Sequence, residues 1–109
     1  MRAWMLEKNE AGEFSCELKQ VDGSILAAEG VNVDVAYSTI NFKDGLAMLN
    51  KSPVVRTWPM IAGIDFAGTA TDGDYAGQEV LANGHGMGET SLGALADKAR
   101  VPADWLIPV

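Results

Sequence analysis

Val31-Asn32-Val33-Asp34-Val35-Ala36-Tyr37-Ser38-Thr39-Ile40-Asn41-Phe42-Lys43-Asp44-Gly45-Leu46-Ala47-Met48-Leu49 changes its hydrophobic period halfway along, and that change decides the fold. Up to Tyr37 the apolar residues alternate, so Val31, Val33, Val35 and Tyr37 are expected on the inward face of a strand. From Phe42 the spacing is helical. Phe42, Leu46 and Leu49 recur on one side of a short helix that Asn41 can cap and that Gly45 weakens. Where strand meets helix, Ser38, Thr39, Asn41, Lys43 and Asp44 gather hydroxyls, an amide, an amine and a carboxylate beside free helix N–H groups. A helix cap plus a solvated Lys–Asp pair would account for the same residues.

Outward from this stretch the chain reads as short strands separated by turns. Arg2 to Leu6 forms a first strand. Glu13 to Lys19 alternates with Phe14, Cys16 and Leu18 on one face, and Asp22-Gly23-Ser24 and Glu29-Gly30 are turns. Pro53 and Pro59 bracket an extended stretch, and Met60 to Thr71 is β-rich. Gly77 to Ala82 is a strand leading into the loop Gly84-His85-Gly86-Met87-Gly88. Alternation favours a strand over Leu92 to Val101, although Leu92-Gly93-Ala94-Leu95-Ala96 would permit a helical turn. Asp104 to Ile107 closes with another strand. The expected fold is mainly β, a partly open barrel with one or two short helices.

A length of 109 residues is one domain, and 48% hydrophobic with 21% charged residues is ordinary for a globular protein. The net charge of −7 and the absence of Lys/Arg runs argue against nucleic acid. No apolar run is long enough for a membrane span, and the N-terminal stretch does not read as a signal peptide. The single cysteine, Cys16, and the lack of zinc-ligand spacing point to a reducing, cytoplasmic setting without metal. There is no G-x-S-x-G elbow, and G-x-G-x-G at Gly84 to Gly88 is not a dinucleotide fingerprint. His85 is the only histidine, which gives it the right chemistry for catalysis, though a lone loop histidine is more often simply exposed. Asp65, between Ile64 and Phe66, must find a hydrogen-bond partner if buried. It serves either the nearby backbone or the orientation of an active-site group.

In order along the chain, several segments resemble the N-terminal, GroES-like domain of medium-chain dehydrogenases/reductases, in the zinc-free acrylyl-CoA reductase and quinone oxidoreductase-like branch. They are Met1 to Trp4, Ser38 to Leu46, Arg56 to Thr69, Gly77 to Leu81, Gly84 to Glu89 and Leu95 to Val101. The likeness runs from end to end, with departures at Gly93-Ala94, where two glycines are usual, and in a short turn at Thr71 to Tyr75.

The resemblance implies that residues 1–109 are a substrate-side catalytic domain. It also implies that a Rossmann domain, absent from this chain, would supply most contacts to NADPH. The apolar ending Ile107-Pro108-Val109 agrees with a cut before such a domain. Asn41 and Ile64 stand where zinc-dependent relatives place a cysteine and a histidine, so no metal is expected. The implied reaction adds hydride from NADPH to the β-carbon of an enoyl-CoA and a proton to the α-carbon. Asn41 and Asp44 are the expected catalytic residues. Asn41, Phe42 and Lys43 are expected on the cofactor, and Lys51, Arg56 and Met87 on the substrate. Alone, the chain is expected to be inactive and to dimerise through a bared apolar face including Phe42, Met87 and Trp105. The competing expectations are a free-standing GroES-like binding module and a quinone or alkenal reductase domain.

Overall fold

The computed structural model describes residues 1–109 as eight antiparallel strands in two sheets, with one α-helix. In chain order the elements are β1 (Arg2–Lys8), β2 (Phe14–Gln20), β3 (Val31–Tyr37), α1 (Phe42–Met48), β4 (Met60–Ile61), β5 (Asp65–Ala70), β6 (Glu79–Asn83), β7 (Lys98–Val101) and β8 (Ile107–Pro108). One sheet runs β2-β1-β4 and the other β7-β3-β5-β6-β8. The fold is mainly β, as the sequence leads one to expect. No helix is long and apolar enough to cross a membrane.

The alternation in β3 places Val31 and Val33 in the larger core cluster with Phe66, Val80, Met87, Val101 and Leu106. It does not carry through to Tyr37, which is 77% exposed. The pairing of β3 with β5 shifts register between Val35 and Tyr37, so one extra residue turns the end of the strand over. Gly68 lies opposite, where a Cβ would collide with the Asp34 carbonyl. On β2, an edge strand, Phe14 and Cys16 are half-buried while Leu18 faces solvent, against expectation.

Helix α1 likewise buries a different face from the one its hydropathy indicates. Phe42 and Leu49 are exposed, whereas Asp44 and Ala47 are buried. The burial of Asp44 follows from capping: its Oδ2 accepts the Asn41 backbone N–H at 2.8 Å, satisfying an otherwise orphaned donor. At the other end Asn50 takes a left-handed conformation (φ 53°). Its N–H bonds the Ala47 carbonyl at 3.1 Å and that of Lys51 bonds the Leu46 carbonyl at 2.9 Å, a Schellman closure. Ala47 joins Leu6, Val54, Met60 and Ala62 in a second cluster beneath the helix.

Of the ambiguous segment Leu92 to Val101, Lys98–Val101 is strand β7, whereas residues 92–97 form neither a strand nor a helix. Residues 92–97 are threaded between β1 and the end of β4, with Gly93 N–H on Ile61 O (2.7 Å), Leu95 N–H on Ala62 O (2.9 Å) and Trp4 N–H on Leu95 O (2.9 Å). The strand expected over Asp104 to Ile107 is a 3-10 turn at Ala103–Trp105 followed by β8.

Asp72 ties the β5–β6 turn to the start of β3, accepting from Asn32 Nδ2 (2.6 Å) and Asn32 N–H (2.9 Å). Those bonds, the side-chain one first, hold its carboxyl below the usual carboxylate range. A depressed folded value stabilises the protein above the unfolded value, and that contribution is lost as pH falls through the folded one. Below about pH 4, thermal melting of Asp72→Asn should therefore depend less steeply on pH than that of the parent. Parallel curves would refute this.

Candidate functional site

The junction of β3 and α1 is held open by a network of short side chains. Leaving β3, Ser38 Oγ donates to the Ala94 carbonyl at 2.6 Å, fixing the chain against the 92–97 segment. Thr39 follows, with its N–H on Asp65 Oδ1 (2.9 Å) and its hydroxyl on Asp65 Oδ2 (2.5 Å). Asp65 heads β5 and is half-buried. Its carboxylate takes a backbone N–H and two side-chain donors from the strand–helix junction, all distant in sequence.

One of those side-chain donors belongs to Asn41. Its Nδ2 faces Thr39 Oγ1 (3.1 Å), Asp44 Oδ2 (3.2 Å) and Asp65 Oδ2 (3.4 Å). Two carboxylates and a hydroxyl oxygen on one side require the amide nitrogen to point inward, because ionised carboxylates only accept. The two hydrogens of Nδ2 are therefore occupied. Asn41 Oδ1 faces the Asp44 backbone N–H in a capping box and keeps a second lone pair as an acceptor. Its chain neighbours Ile40 and Phe42 are 77% and 84% exposed, which leaves two apolar side chains at the surface beside the clamped amide.

Of the remaining expected residues, Lys43 is ion-paired with Glu89, tying α1 to the 84–91 loop, and the Arg56 N–H bonds the Glu89 carbonyl at 2.9 Å. Lys51 and Arg56 are exposed and have no carboxylate within ion-pair distance. Met87 is a correction. At 1% exposure it packs in the larger core cluster, so its side chain neither reaches substrate nor belongs to a bared face. The reason is the tight turn at Gly86 and Gly88, both at positive φ, which folds the loop inward. His85 makes no hydrogen bond and lies flat on Trp105, with ring centroids 4.7 Å apart. No group of three or more His, Cys, Asp or Glu side chains converges as metal ligands would.

Sequence reasoning did not assign roles to Thr39 or Glu89. Thr39 carries no pattern of its own. The acid in the apolar run Ile64-Asp65-Phe66 was the usable signal for the other half of its pair.

No known family profile matches the chain. Individual proteins do. The chain is 44% identical over 111 residues to the probable acrylyl-CoA reductase AcuI of Escherichia coli (strain K12), a match covering 98% of this chain and 34% of that protein. The crystal structure of the yhdH oxidoreductase from Salmonella enterica in complex with NADP agrees with a TM-score of 0.92 at 44% identity, over 99% of this chain and 34% of that one. The Bacillus subtilis protein yhfP, solved with NAD bound, gives a TM-score of 0.88 at 39% identity, over 98% of this chain and 33% of that one. The chain spans about a third of the length of these relatives.

Proposed function

We infer that this chain, homologous to the N-terminal part of medium-chain reductases, is the substrate-side portion of a nicotinamide-dependent reductase of enoyl thioesters such as acrylyl-CoA. The clamped carboxamide of Asn41 carries the assignment. With both Nδ2 hydrogens held by Asp44, Asp65 and Thr39, Asn41 Oδ1 is a fixed acceptor, suited to an N–H donor such as the carboxamide of a nicotinamide. It is unsuited to a substrate carbonyl, because an acceptor beside a developing enolate oxygen would repel it.

The residues present fit a nicotinamide. The exposed side chains of Ile40 and Phe42 offer the ring an apolar bed, and exclude water from it once a companion surface closes over them. When bound, the nicotinamide supplies the hydride that adds to the β-carbon of the thioester. Asp44 and Asp65 act on the reaction through Asn41 and are positioning residues. Lys43 is held by Glu89, so its part is to fix the 84–91 loop. Lys51 and Arg56 remain free for a phosphate. Neither Asn41 nor Ile64 offers a zinc ligand, consistent with a metal-free reaction.

The test is calorimetry with NADPH, comparing the 109-residue chain with the protein encoded by its native gene. Binding by the native-gene protein, with NADPH consumed when acrylyl-CoA is added, is the expected result. Tight binding by the 109-residue chain alone, or no turnover by the native-gene protein, would overturn the assignment.

A further inference from the structure

We propose that the hollow of about 300 Å³ beyond the end of β1 binds a phosphate of a nucleoside bisphosphate, with Lys8 and Lys51 as its cations and Trp58 as the wall for the base. In a chain of net charge −7, four of the eight basic side chains are ion-paired: Arg2 with Asp97, Lys19 with Glu7, Lys43 with Glu89 and Lys98 with Asp34. Lys8 and Lys51 have no carboxylate within ion-pair distance, and both line the same hollow. Its other walls, Asn50, Ser52, Pro53, Val55 and Trp58, bring no acid. Two lysines without a carboxylate partner on the wall of one hollow raise its potential in favour of an anion.

Backbone and ring contacts frame the hollow. Lys51 is placed by the helix closure at Asn50, and the indole of Trp58 is held edge to face with Phe14 at 6.0 Å. Lys8 Nζ lies 4.9 Å from the Trp58 ring centroid. A cation beside an aromatic wall suits a ligand that carries both a phosphate and a flat base. The volume is at the low end for small-molecule sites, enough for one such group.

Choosing a nucleoside bisphosphate rests on the proposed reductase function, whose substrate and cofactor each end in one. The cationic hollow itself does not depend on it. The experiment uses the protein encoded by its native gene, labelled with fluorotryptophan, with the Trp58 resonance assigned from Trp58→Phe. Adenosine 3′,5′-bisphosphate, the terminus of coenzyme A, should move that resonance saturably, and Lys8→Gln or Lys51→Gln should weaken binding about tenfold. Adenosine 2′,5′-bisphosphate, the NADPH counterpart, is the second arm. Tighter binding of the first assigns the site to the thioester, and of the second to the cofactor. An unmoved Trp58 resonance, affinity unchanged in both lysine variants, or equal affinity for inorganic phosphate overturns the proposal. If acrylyl-CoA is not reduced while the resonance still moves, the reductase function falls and the site stands; the reverse pattern removes the site alone.

Discussion

Gly93→Ala is expected to lower the urea midpoint by about 2 M, corresponding to about 4 kcal/mol or more. A Cβ at this position would press into the backbone carbonyl oxygens of Ile61, Ala62 and Gly63, none of which can rotate aside as a side chain would. Relief requires moving the 92–97 segment, which breaks the Gly93–Ile61 and Leu95–Ala62 hydrogen bonds that substitute for sheet pairing there. Domain stabilities are typically about 5–15 kcal/mol, so the loss is a large share of the whole. The same replacement at Gly45 supplies the contrast. Nothing lies within 4 Å of an added Cβ in helix α1, and Gly45→Ala should stabilise by about 0.5–1 kcal/mol through helix propensity. Equal midpoints for the two variants would show that the close approach at Gly93 is not what holds the segment.

Asp65→Asn should reduce hydride transfer in the native-gene protein on the order of a hundredfold while costing only about 1–3 kcal/mol of stability. Every group facing the Asp65 carboxylate is a donor: Thr39 N–H, the Thr39 hydroxyl and Asn41 Nδ2. An amide there has one accepting oxygen, and in either orientation its NH2 confronts a donor. Thr39 and Asn41 must then rearrange, and Asn41 Oδ1 leaves the position proposed for the nicotinamide. Because the defect lies in orientation, single-turnover rates should fall more than NADPH affinity does. A variant with wild-type single-turnover rate would exclude Asp65 as a positioning residue.

The sequence made β3 legible because five of its seven residues obey a strict alternation tied to burial. It misplaced Tyr37 because a bulge adds one residue without leaving a mark in composition. Helix α1 was located correctly, but its buried face was not, because hydropathy ranks Phe42 above Asp44 and takes no account of a carboxylate that caps its own helix. Local pattern could not decide residues 92–97, because their partners lie on β1 and at the end of β4, far away in sequence. The strand–helix junction Ser38 to Asp44 stands out by its clustered polar side chains, but the choice of Asn41 and Asp44 within it rests on the family resemblance. What Asn41 does with each end of its amide depends on Asp65 and Thr39, and only the fold brings those together.

The position of β3 between β5 and β7 also has a consequence for synthesis. Val31 pairs with Val101 and Val33 with Ala99, so one side of the valine-rich strand has no partner until the distant β7 has been made. The β1 strand waits similarly for Leu95 and Asp97. At about 5–20 residues per second, translation leaves an unpaired, apolar, β-prone edge open for several seconds. Closure then depends on non-local contacts, which form slowly. A growing chain of this kind is most exposed to intermolecular pairing just before β7 emerges, which makes that stage the natural point for a chaperone to act.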